Sequence, residues 1–124
     1  MDEENAINKK FQKEMTSGVT SLVLLNLLSH IKEPMYGYQI AKLLKASEDE
    51  MLATKQGALY PVLRSLEKYA LLQSKVEPSV SGPPRRYYSI TELGKEVLPQ
   101  WNEIWVKTKK YIDRNIEGDF DENN

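Results

Sequence analysis

Apolar residues recur along the chain at spacings that change from segment to segment, and each spacing predicts an element. Ile7, Phe11 and Met15 stand four apart, which puts them in one line on a short helix over Asn5–Met15. Such a helix is unstable alone and needs a surface to dock on. Thr16, Ser17 and Gly18 break the pattern and offer a new start. Val19–Ile31 is apolar nearly all round, as a central, buried helix should be. It stops at Lys32-Glu33-Pro34, since the residue before a proline avoids the helical region. Met35-Tyr36-Gly37-Tyr38 reads as a tight connection. Helical spacing resumes with Ile40, Leu43 and Leu44, and Ser47 with Glu48-Asp49-Glu50 ends it.

Thr54 suits an N-cap for the next helix. Leu59, Val62, Leu63 and Leu66 then form one clean face. Pro61 falls inside the pattern, and its missing N–H costs little only in a first turn, so the helix is expected to begin near Gln56 to Tyr60. The opposite face carries Gln56, Tyr60, Arg64 and Lys68. Leu71–Glu77 and Arg86–Ile90 have strand character around a loop, Pro78 to Pro84, that should be mobile when free. Alternation sets Arg86, Tyr88 and Ile90 on one strand face and Arg85, Tyr87 and Ser89 on the other. Thr91 caps the last helix, with Glu92 at its positive end. A broad stripe of Leu93, Val97, Leu98, Trp101, Ile104, Trp105, Tyr111 and Ile112 runs to about Ile116. Pro99 within it predicts a kink, or a break near Lys95. Gly118 and the acidic tail after it end the ordered chain, with residues 119–124 expected to be disordered.

Composition adds bounds. A chain of 124 residues is one domain's worth, and 40% hydrophobic with 28% charged residues is ordinary for a globular protein. No apolar run is long enough for a membrane span. The first residues are acidic where a secretory signal would be basic. Cysteine is absent, which excludes disulfides and thiolate metal sites. These features favour a cytoplasmic protein without a metal or other cofactor. The net charge of −1 conceals a pattern: acids crowd the ends and one loop, whereas Thr54–Ile90 holds six bases against two acids, or +4. For phosphate binding the local field is what counts.

A buried helix, a turn, a second short helix, a capped third helix and a basic hairpin make a winged helix-turn-helix. The fold class expected is therefore mainly α with a small β-hairpin, flanked by an N-terminal helix and a long C-terminal helix. A recognition helix must offer polar atoms to the major groove, and Gln56, Tyr60 and Arg64 suit that task, with Lys55 beside them. Arg85 and Arg86 on the wing suit the phosphate backbone or the minor groove. The partner expected is double-stranded DNA. The alternative is a winged helix that serves protein contacts or ligand sensing. Nothing points to an enzyme. His30 is the only histidine, at the end of the buried helix, and reads as a surface or capping residue. There is no glycine-rich phosphate loop and no nucleophile-plus-base pattern.

Three blocks also resemble a known family, the PadR transcriptional regulators. They are Tyr36-Gly37-Tyr38-Gln39-Ile40, then Gly57 through Glu67, then Gly82 through Thr91 with Glu92-Leu93-Gly94. The last helix is similar in character to the short subfamily with a single C-terminal dimerisation helix. The resemblance implies a homodimer that represses transcription at a palindromic operator. It implies DNA contacts at Tyr38, Tyr60 and Arg64, and at Arg85 and Arg86 on the wing. In one respect the chain departs from the family: Ala70 stands where glycine commonly follows the recognition helix. A left-handed cap strains alanine, so the helix is expected to end differently and the wing to leave at another angle.

Trp101 and Trp105 lie four apart on the last helix, so they are neighbours on one face. A domain this small has no obvious second layer to cover them, which argues for a partner helix. The dimer interface expected comprises Ile7, Phe11, Val97, Trp101, Ile104, Trp105, Tyr111 and Ile112. In some proteins similar to this one, a tryptophan at the Trp105 position stacks on flat aromatic ligands. A small aromatic effector at Trp101 and Trp105 is thus one reading, and packing alone is the plainer one. The division expected is a DNA-binding unit over residues 1–91 and a dimerisation helix over 92–118.

Overall fold

The computed structural model describes residues 2–45 and 56–120. Ser47, the Glu48-Asp49-Glu50 run, Thr54, Lys55 and the tail from residue 121 lie outside them, and so do the expectations placed there. The element order is α1 (Asp2–Thr16), α2 (Val19–His30), β1 (Met35–Tyr36), α3 (Gly37–Lys45), α4 (Gln56–Lys68), β2 (Leu72–Glu77), β3 (Arg85–Ile90) and α5 (Glu92–Glu117).

α2 is central as its composition requires. Leu24, Leu25 and Leu28 are buried, and they pack with Ile40 of α3, Leu59, Leu63 and Leu66 of α4, Leu72, Tyr88 and Leu98. A fully buried leucine contributes about 2 kcal/mol through the hydrophobic effect, so this cluster is the main source of stability. Leu43 does not share it: α3 turns that residue out, 46% exposed.

The Met35–Tyr36 connection is a strand. β1 pairs antiparallel with β3, Met35 opposite Tyr88 and Tyr36 opposite Tyr87, giving a three-stranded sheet in the order β1-β3-β2. Two residues between Pro34 and Gly37 are too few for alternation to show in sequence. α3 follows at once, and the Gln39 side chain accepts a hydrogen bond from the Tyr36 N–H at 3.1 Å, half of a capping box.

The end of α4 overturns one expectation. Ala70 takes φ 63°. Its N–H bonds to the Glu67 carbonyl and the Leu71 N–H to the Leu66 carbonyl, each at 2.9 Å. That pair of bonds is the Schellman arrangement. The helix therefore ends as a glycine-capped one does, with an alanine held in the strained region.

Thr91 ties three elements together. Its hydroxyl oxygen accepts from the Gly94 N–H at 3.0 Å, capping α5, and its hydroxyl donates to the Ala70 carbonyl at 2.6 Å. Gly94 is buried, and a Cβ there would collide with the Leu71 carbonyl oxygen and with Ile90. α5 runs through the exposed Pro99 without the predicted break and ends at Gly118, φ 75°. Only its first part meets the core: beyond Asn102 every residue of α5 is exposed. α1 begins earlier than its apolar line suggested and buries none of its residues.

Candidate nucleic-acid interface

The start of α3, the middle of α4 and the wing meet around an open cleft of about 570 Å³, lined by Tyr36, Tyr38, Tyr60, Ser79, Ser81, Pro83, Pro84, Arg85 and Arg86. Gly37 makes the meeting possible. It is buried beneath Tyr60, and a Cβ on it would lie 2.9 Å from the Tyr60 ring and hydroxyl. Only glycine lets the ring lie so close to the backbone of α3.

The wall formed by β1 and β3 is aromatic. Tyr36 stacks with Tyr38, centroids 6.3 Å apart, and meets Tyr87 edge-on at 5.4 Å. The Arg85 guanidinium lies 4.5 Å from the centre of the Tyr36 ring, a cation–π contact that holds a positive group at the cleft edge. Tyr38 is 55% exposed at the cleft.

Arg86 leaves the other face of β3, the face of the buried Tyr88, as alternation requires. Its Nη1 donates to Ser74 Oγ at 2.9 Å. Arg85 and Arg86 thus start from opposite strand faces and still border the same cleft. Arg64 is exposed on α4, one turn beyond Tyr60 on the same side. Burial pushes the Tyr88 hydroxyl pKa up, and Glu67 adds to the effect, while Arg86 and Arg64 oppose it. The two guanidinium groups therefore act at a common point between α4 and the wing.

Of the residues expected at this interface, the structure brings together Tyr38, Tyr60, Arg85 and Arg86, with Arg64 adjoining. Gln56 begins α4, its side chain lying outside the description, and Lys55 lies outside it altogether. Sequence reasoning missed Tyr36, Ser79 and Gly37 as parts of the cleft. The Ser79 hydroxyl lies 3.0 Å from both the Gly82 and the Pro83 carbonyl oxygens, which draws the wing loop into a closed turn. The Tyr-Gly-Tyr sequence was the available signal, because a glycine between aromatics marks close approach to a backbone.

Residues 24–100 match the transcriptional regulator PadR-like family. The chain belongs to this family. Its structure is similar to a PadR family transcriptional regulator from Eggerthella lenta, 27% identical with a TM-score of 0.77, over 94% of this chain and 98% of that one. A transcriptional regulator from Clostridium thermocellum is 31% identical with a TM-score of 0.70, over 82% and 93% of the two chains. An uncharacterised protein from Lysinibacillus sphaericus is 28% identical over 86% of this chain and 96% of its own length. The PadR-like chain is accordingly a DNA-binding transcriptional regulator with the winged-helix fold. Its family and these structural neighbours are transcriptional regulators. No helix among the described residues is long and apolar enough to cross a membrane.

A second concave surface lies between α2 and α5. It measures about 460 Å³, is mostly apolar, and is lined by Val19, Leu22, Val23, Leu27, Leu44 and Trp105, with Asn26, His30 and Asn102 among its polar members. The two tryptophans part company here. Trp101 packs against the core of its own chain, as does Val97, so the expectation that Trp101 lacked a cover is corrected. Trp105 is 45% exposed and borders the groove. Ile7, Phe11, Ile104, Tyr111 and Ile112 are all exposed. Asn26 and Asn102 exchange side-chain hydrogen bonds of 2.9 and 3.1 Å, which fastens α5 to α2.

Proposed function

We propose that this PadR-like regulator is a sequence-specific repressor acting as a homodimer on a palindromic operator. In this reading, residues 1–91 bind DNA and residues 92–118 form the dimer. The observation that carries it is the cleft in which Tyr38, Tyr60, Arg85 and Arg86 converge beside Arg64. Its chemistry suits a sugar–phosphate backbone: guanidinium groups pair with phosphate oxygens, and tyrosine hydroxyls donate to them. Arg64, on the exposed side of α4, is assigned to base edges in the major groove. Arg85, braced on Tyr36, is assigned to phosphate.

The case for a second copy is the exposed apolar surface. Ile7 and Phe11 on α1, and Ile104, Trp105, Tyr111 and Ile112 on α5, are too many large apolar groups for a monomer to leave in water. Two reading heads then meet successive major grooves about 34 Å apart. The groove beside Trp105 supports one addition to this reading: a flat aromatic effector seated there releases the DNA.

The test begins with duplexes enriched from a random pool by the wild-type protein. The enriched sequence is expected to be an inverted repeat, protected in footprints upstream of a promoter, with binding of one dimer per site. Enrichment of no sequence overturns the reading. Titration of planar phenolics against tryptophan fluorescence checks the effector, and no quenching that depends on Trp105 removes that part.

A further inference from the structure

The seam between α4 and the wing holds a chain of polar side chains. The Ser74 hydroxyl on β2 donates to Glu67 Oε2 on α4 at 2.5 Å and accepts from Arg86 Nη1 on β3 at 2.9 Å. A serine hydroxyl can do both at once. Here it joins a carboxylate to a guanidinium across three elements. We propose that Glu67 and Ser74 are positioning residues that hold the Arg86 guanidinium in the cleft and so fix the wing against the recognition helix. This rests on the reading of the cleft as the DNA-binding surface.

Three features support the assignment. Ser74 lies directly opposite Tyr88 in the β2–β3 register, and Arg86 is two residues before Tyr88 on β3, so the chain is built on one face of the wing. Glu67 is three residues beyond Arg64 on α4 and only partly exposed, which places it on the side of the helix that meets the wing. Glu67, Arg86 and Arg64 all act electrostatically on the Tyr88 hydroxyl, so the charges of helix and wing converge there.

The physical consequence is order where disorder would be costly. Arg86 is otherwise an exposed side chain with many rotamers, and fixing such a side chain only on binding subtracts from affinity. A bond to an ionised partner is stronger than one between neutral groups. The link also keeps the Glu67 carboxylate engaged beside a surface meant for phosphate, where a loose carboxylate would repel the ligand. Helix and wing then meet the duplex at a set spacing.

The experiment is a double-mutant cycle on the duplex enriched by the wild-type protein. Ser74→Ala is expected to weaken binding roughly tenfold, the order of magnitude of one charge-assisted hydrogen bond. It leaves the salt dependence unchanged, because Ser74 neutralises no phosphate. In an Arg86→Ala background the same change is expected to cost nothing. Ser74→Thr keeps the hydroxyl and restores affinity in the Arg86 background. Thermal midpoints of the free variants separate a folding defect from a binding one. Equal losses from Ser74→Ala in both backgrounds, or none in either, overturn the proposal while the DNA reading stands. A wild-type protein that binds no duplex overturns both.

Discussion

Ala70 is the residue at which the chain accepts backbone strain, φ 63° at the Schellman end of α4. A side chain in that region costs about 1 kcal/mol relative to glycine. Ala70→Gly is therefore expected to raise the unfolding free energy by about 1 kcal/mol in urea denaturation, with the same slope. An unchanged midpoint would mean the strain is relieved elsewhere. Tyr88 gives a pH prediction. Its folded pKa is raised, first by burial and then by Glu67, so above its ordinary value near pH 10 the unfolded chain releases the proton before the native one does. The contribution of Tyr88 to stability is thus complete below that pH and is lost as pH rises from it through the folded pKa. Tyr88→Phe is expected to lessen that alkaline loss, measured by denaturation at successive pH values. Residues whose partners are close in sequence were legible: Thr91 was expected to cap α5, and it accepts from the Gly94 N–H. The Glu67–Ser74 and Asn26–Asn102 pairs were not. A serine or asparagine reveals nothing of its partner until a hairpin or a helix crossing delivers one.

Among the elements, the apolar pattern located α2, which is apolar nearly all round, and α4 and α5, which each bury a stripe against the same core. It did not reveal β1, which exists only because β3 offers it an edge to pair with. Nor did a proline dictate a break in α5: Pro99 removes one backbone donor, and the helix continues on either side. The joint where α4, the wing and α5 meet is tightly built. Gly94 packs against the Leu71 carbonyl and Ile90 there, with no room for a methyl group. Gly94→Ala is expected to destabilise the protein by about 1–3 kcal/mol through overpacking, read as a lower denaturation midpoint. A neutral result would show that α5 can slide away from the wing. Thr91→Val, which keeps the shape and removes the hydroxyl bonds to Gly94 and Ala70, should cost about 1 kcal/mol.

At the scale of the whole molecule, a packed reading head carries two apolar arms that its own core does not cover, α1 and the outer part of α5. The sequence announced those arms through their stripes, although it grouped Trp101 with them. The pattern could not tell which tryptophan faces inward, since that depends on where α5 leaves α2. If a second copy covers the arms, Trp105→Glu shifts sedimentation toward the monomer and weakens operator binding with it. An unchanged dimer would place the interface elsewhere. The central claim, that the cleft binds DNA through its arginines, is tested most directly by the salt dependence of binding to the enriched duplex. Affinity is expected to fall steeply with salt, with a slope about one unit shallower for Arg85→Ala. A flat response, or an Arg85→Ala slope identical to that of the wild type, would contradict the claim.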